Sequence, residues 1–304
     1  MSKLITVFGS TGNQGGSVIK HLLADATLSK EFKIRGVTRD TSKPAAQALA
    51  KQGVEVVSAD MNSKSSVAKA IEGSHTVFLV TNYWETGRPE VEITQGQNVA
   101  DAAKDAVVSH LIFSSLLNVT ETTGGRLSHV PHFDGKSEIE RYIRGTGVPC
   151  SFVLPGYFMS NYLQMLRKGS DGAFMLAYPV SNKAKFPLFD AAEDTGKFVK
   201  AVIKNREKVL GHHVLEATDY YTPERILAEF EEVTGKKTRY ARVSAEQYKG
   251  FLPPAMAEEM LENHLFVEDP GYFAGADLKE SLDLLEEKPV TWKEFVEKNS
   301  GAWN

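Results

Sequence analysis

Residues 7–16 read Val-Phe-Gly-Ser-Thr-Gly-Asn-Gln-Gly-Gly, with glycines at 9, 12 and 15. A largely apolar run, Leu4 to Phe8, comes before them. After them Val18, Ile19, Leu22 and Leu23 recur at the spacing of one helix face. A buried strand, a tight glycine turn and a helix N-terminus make the cradle for a dinucleotide diphosphate. The first-turn N–H groups and the helix dipole favour the anion. Gly9 allows the turn, Gly12 admits the phosphate, and Gly15 lets the helix press on the strand. Thr11, Asn13 and Gln14 fill the turn between them.

Few other folds accept that opening, and the first half of the chain continues accordingly. Val/Ile/Phe-rich strands are expected at 33–38, 54–58, 76–80, 110–114 and 151–154. Helices are expected between them, including a long one over 91–106 and another over 133–145. Alternating strands and helices predict a doubly wound parallel α/β sheet of Rossmann type, covered on both faces. After Pro155 the elements shorten and aromatics increase. Residues 158–166 read as a helix, and 169–189 as irregular. Thr222-Pro223-Glu224, Ser244-x-x-Gln247 and Thr291-Trp292 read as helix starts. The division expected is 1–156 for the dinucleotide-binding domain and 157–304 for a smaller mixed α/β lobe. Residues 190–217 would pack back on the first domain.

Composition narrows the function. With 35 basic and 39 acidic side chains, the net charge of −4 offers no basic excess for direct nucleic-acid binding. Cys150 is the single cysteine, which excludes an internal disulfide and a cysteine metal site. His129 and His132 are three residues apart but lack further ligands nearby, so no metal is expected. No apolar run is long enough for a membrane helix. Met1-Ser2-Lys3 leads straight into the first strand. A cytoplasmic location is expected, with the nucleus as an alternative. The sequence is silent on oligomeric state.

Ligands of such sheets lie at the carboxyl ends of the strands. The second strand ends Thr38-Arg39-Asp40, with Lys43 beyond. Arg39 can grip a 2′-phosphate bidentately and stack on adenine, which favours NADP(H), with Lys43 adding charge. If Asp40 held the ribose instead, NAD(H) would be the cofactor. Asp60 and Met61, after the third strand, would border the adenine. Thr81, Asn82 and Tyr83 follow the fourth strand. Pro155, Gly156, Tyr157 and Phe158 follow the sixth, where a nicotinamide should lie.

The glycine spacing resembles that of the extended and atypical short-chain dehydrogenase/reductases. The likeness narrows at Thr81-Asn82-Tyr83-Trp84-Glu85, at His132-Phe133-Asp134-Gly135-Lys136 and at Leu154-Pro155-Gly156-Tyr157-Phe158. With these motifs the chain resembles the NmrA-like family over nearly its whole length. In catalytic members of the superfamily a Tyr and a Lys four residues later share a helix face beside a Ser. The tyrosine transfers a proton, and the lysine tunes it and holds the nicotinamide ribose. Here Lys136 keeps the lysine place and Ser115, or Ser114, the serine place, but His132 stands where tyrosine would.

The resemblance implies an NADP(H)-bound redox sensor that regulates through a protein partner, and that reading is taken forward. The alternative is an NADPH-dependent oxidoreductase for a small carbonyl, enone or imine. His132 would then be the general acid, since imidazole titrates near neutrality. Tyr83 and Tyr157 are further proton sources.

Overall fold

The computed structural model describes residues 2–304. Strands β1 (Lys3–Val7), β2 (Phe32–Thr38), β3 (Glu55–Ser58), β4 (Thr76–Leu79), β5 (His110–Ser114) and β6 (Cys150–Pro155) alternate with helices. The chain then forms β7 (Tyr157–Phe158), β8 (Arg167–Lys168), β9 (Phe174–Tyr178) and β10 (Phe186–Phe189). The last three strands are β11 (His213–Glu216), β12 (Asp219–Tyr221) and β13 (Thr238–Arg242). The central sheet has seven strands in the order β11-β6-β5-β4-β1-β2-β3. All its pairs are parallel. The winding direction reverses between β1 and β4, with Val7 opposite Phe78, and this opens a crevice at the strand ends.

Both faces of the sheet are covered. Along β4, Val77 and Leu79 join the core on one face, and Phe78 between them joins the core on the other. Leu111, Ile112 and Phe113 of β5 alternate in the same way. That is why these strands read as unbroken apolar runs. The helix Asn13–Ala24 packs against Ala191–Lys204 on one face, through Val18, Leu22, Phe198 and Val202. The helices Pro89–Asp105 and Pro131–Thr146 pair on the other, through Val99, Ala103, Ile139 and Ile143. Each fully buried apolar side chain of this kind contributes roughly 1.5–3 kcal/mol.

Part of the second half returns to the first: β11 pairs with β6, and the helix Ala191–Lys204 lies over the sheet. The smaller sheets are β12-β10-β7 and β13-β9-β8. Two expectations fail here. Residues 158–166 are not one helix, because Tyr157 and Phe158 first pair with Leu188 and Phe189 as a strand. Only a short turn and Tyr162–Met165 are helical. The span 169–189 is not irregular but holds β9 and β10. In Phe174–Tyr178 burial alternates, but both faces carry apolar residues, so the period of two is invisible in the sequence.

The helix Pro254–Glu268 lies across the carboxyl ends of the strands. Phe133 meets Phe266 and Tyr272 edge-on at 5.9 and 5.3 Å. This helix also buries Glu259, Glu262, Asn263 and His264. Polar side chains are rarely buried unless paired or functional. No helix among the described residues is long and apolar enough to cross a membrane.

Candidate functional site

The glycine turn has the geometry a diphosphate needs. Gly9 sits at φ +64°, and a Cβ there would lie 2.7 Å from Val80 Cγ1. A Cβ on Gly15 would lie 2.3 Å from the Gly9 carbonyl oxygen, so the helix seats on the turn only without one. Gly12 precedes the helix Asn13–Ala24, and no side chain caps that helix. Its first-turn N–H groups are therefore free of side-chain acceptors, and an anion fits there. Thr11, Gly12 and Asn13 are exposed. Gln14 accepts a hydrogen bond from Ser114 Oγ at 2.7 Å, which ties the turn to the end of β5.

At the end expected to hold adenine, Arg39 is exposed and ion-paired with Glu85. Asp40 accepts from Ser42 N–H and Oγ at 2.9 and 2.6 Å, so its carboxylate is occupied within its own turn. Lys43 is exposed at the start of the helix Pro44–Lys51. Asp60 accepts twice from Asn62, and the Met61 carbonyl accepts from Asn98.

At the other end is a cavity of about 370 Å³. Its wall joins segments far apart in the chain: Gln14, Thr81 to Trp84, His132, Lys136, and Pro155 to Phe158. The covering helix adds Met256, Met260, Asn263 and His264, and Leu116, Phe133, Asn161, Met165 and Tyr272 complete the wall.

His132 is held from that helix. Its Nδ1 bonds the Glu259 carboxylate, and its backbone N–H donates to the same oxygen at 3.3 Å. A carboxylate accepts only, so Nδ1 carries the hydrogen and Nε2 is the nitrogen with no protein partner. His129 pairs likewise with Glu262, at 2.7 Å. Two histidines three apart thus meet two glutamates three apart, and each glutamate is buried. Tyr83 donates to Glu259 at 3.2 Å. Burial first, and Glu259 next, push its pKa up to about 12. Trp84 packs 5.0 Å from both the His132 and the Tyr83 rings and is 48% exposed at the rim.

Three expected roles meet competing arrangements. Lys136 donates to Thr81 O, Thr81 Oγ1 and Glu92 at 3.1, 2.9 and 2.7 Å, so all three of its hydrogens are taken before any ribose arrives. Ser115 does not line the cavity; it is buried and donates to Glu140 at 2.6 Å. Ser114 likewise turns to Gln14. Tyr157 lies on the cavity wall, but its hydroxyl is within 3.3 Å of Tyr178 and of His264 Nε2. Burial pushes its pKa up to about 12.

The sequence reading missed Glu259, Glu262, Asn263 and His264. Their signal was available: in Met256-Ala-Glu-Glu-Met260-Leu-Glu-Asn263, residues 256, 260 and 263 form one helical stripe. It also missed Glu216, at the end of β11, whose carbonyl accepts from Gly156 N–H at 2.8 Å. Burial, reinforced by Asp194, lifts the Glu216 carboxyl pKa well above the usual carboxylate range.

Comparison with known proteins follows the same outline. The chain is 34% identical over 262 residues to the NmrA-like family domain-containing oxidoreductase malD of Malbranchea aurantiaca, covering 80% of this chain and 76% of the relative. It is 33% identical to the NmrA-like family domain-containing oxidoreductase ptmS of Penicillium ochrochloron, covering 79% and 76%. In fold it is similar to the negative transcriptional regulator NmrA solved in complex with NADP, with a TM-score of 0.81 and 22% identity over 98% of this chain and 95% of that one. The Citrobacter sp. triphenylmethane reductase complexed with NADP(H) gives a TM-score of 0.79 and 24% identity over 98% and 99%. The description of the NmrA-like family itself matches residues 1–296, and with that match, on this glycine turn and this sheet, the chain belongs to the NmrA-like family.

Proposed function

We propose that this protein is an NADP(H)-dependent oxidoreductase acting on a small organic substrate. One observation carries the reading: an open cavity at the strand ends, beside the glycine turn, walled by a histidine whose tautomer is held by a buried glutamate. The similar proteins named as oxidoreductases support it, as does the reductase of similar fold complexed with NADP(H).

The turn around Gly9, Gly12 and Gly15, with the N–H groups from Asn13 onward, would hold the diphosphate. Arg39 would exchange Glu85 for the 2′-phosphate. When bound, the reduced nicotinamide supplies a hydride. The chain supplies the rest. Glu259 fixes the His132 ring so that Nε2 can deliver or take a proton at the substrate. Lys136 and Glu92 anchor Thr81, and with it the segment that carries Tyr83. Closure by the helix Pro254–Glu268 limits water around the reacting atoms.

The test is NADPH oxidation by the purified chain with a panel of carbonyl, enone and imine compounds. Turnover is expected, and His132→Ala should lower kcat/KM by about a hundredfold or more. Turnover unchanged in that variant would remove His132 from the chemistry.

A regulator working through a protein partner is the second reading. Trp84 favours it, because this exposed ring touches both Tyr83 and His132 and so links the cavity to the surface. Tight NADPH binding with no turnover of any panel compound would select it.

A further inference from the structure

We infer that the cavity recognises a neutral, planar, conjugated carbonyl compound, and that the Asn263 side-chain amide holds its carbonyl oxygen; this rests on the oxidoreductase reading above.

The covering helix turns one stripe to the cavity, Met256, Met260 and Asn263, at i, i+4 and i+7. Met165 adds a third thioether from another segment. Flexible, polarisable methionines adapt to flat conjugated surfaces and make favourable sulfur–π contacts. The wall therefore selects a planar face and specifies little about outline.

The polar groups decide the rest. Lys136 is the only lysine or arginine on this wall, and its donors are spent on Thr81 and Glu92. Among the described residues no free lysine or arginine awaits a carboxylate or phosphate on the substrate, and Glu259 balances the charge of a protonated His132. His264 donates Nδ1–H to the Met260 carbonyl at 2.9 Å, and its Nε2 faces the Tyr157 hydroxyl at 3.3 Å. Both groups are committed to the protein.

Asn263 differs. It is 6% exposed, and its side-chain nitrogen is buried with no hydrogen-bond partner. Such an orphan donor is costly and calls for an acceptor. A carbonyl oxygen supplies one. An iminium nitrogen has no free lone pair and does not. His132 Nε2 is a further polar atom of the wall with no protein partner, and it is the one placed to move a proton.

With an α,β-unsaturated carbonyl the two groups divide the work. The reduction adds a hydride to the β-carbon, with the reduced dinucleotide as reductant. The C=C electron pair moves to the α-carbon and the carbonyl oxygen, and a proton from the His132 imidazolium, replenished by solvent, completes the saturated carbonyl. Negative charge grows on the oxygen facing Asn263, so that N–H contributes most as the barrier is crossed.

The test uses the full-length chain with benzylideneacetone as the neutral probe and cinnamate as its anionic counterpart. Two readouts are taken: NADPH oxidation, and calorimetric binding of each probe to protein saturated with NADP+. Benzylideneacetone should be bound and reduced, and cinnamate should not. Asn263→Ala and the near-isosteric Asn263→Asp should each lower benzylideneacetone affinity and kcat/KM by about tenfold or more, with NADPH affinity unchanged. Binding and turnover indifferent to both substitutions, a preference for cinnamate, or no binding of benzylideneacetone would each overturn the inference. Binding that depends on Asn263 without any turnover would overturn the oxidoreductase reading and leave the recognition intact.

Discussion

The two ends of the cleft are built from different material. Around Gly9, Gly12 and Gly15 the chain offers backbone: a left-handed turn, an uncapped helix end and a close seat for that helix. Ten consecutive residues suffice. Around His132 it offers side chains, gathered from the loop after β4, the helix Pro131–Thr146, the end of β6 and the helix Pro254–Glu268. The first arrangement suits a diphosphate by charge and space. The second, on the proposed reading, would recognise a substrate by chosen groups.

This contrast can be broken from either side. The largest effect is expected at the reaction end. Glu259→Gln keeps size but removes the charge that holds Nδ1–H of His132, and it should lower kcat/KM by about a hundredfold with NADPH affinity unchanged. A parallel loss of NADPH binding, read by calorimetry, would mean that the two ends are not separable.

Gly15→Ala should act in the opposite sense. A Cβ 2.3 Å from the Gly9 carbonyl oxygen forces helix and turn apart. Overpacking of this kind costs about 2 kcal/mol, or roughly thirtyfold in affinity where the displaced turn is itself the site. NADPH binding should weaken while benzylideneacetone still reaches the cavity. Retained cofactor affinity would show that the turn can relax.

The smallest effect sharpens the comparison within the cofactor end. Arg39 is a side-chain element in a backbone-built site. Arg39→Ala should lower NADPH affinity by about tenfold and leave NADH unchanged. An equal loss for both cofactors would place Arg39 against adenine rather than the 2′-phosphate.

Legibility followed the same division. The glycine turn and the alternating strands were readable because each depends on local pattern or on period. Helix starts were readable for the same reason: Thr222, Ser244 and Thr291 all cap through their own side chains. The strands β9 and β10 were not, because apolar residues on both faces erase the alternation. Ser115 was misplaced because strand direction is legible from sequence but the partner of a buried hydroxyl is not. Glu140, 25 residues further on, takes it.

By itself, then, the amino-acid sequence determined the doubly wound sheet, the glycine turn that opens it and the segments at its strand ends, since these follow from spacing within a few residues. Only the tertiary structure decided what those segments meet. It set Glu259 behind His132 and Asn263 in the cavity wall, and it spent Lys136 on Glu92. Such pairings join residues 127 and 44 positions apart for the first and last of these. No short-range pattern encodes them, because they exist only once the covering helix has packed across the strand ends.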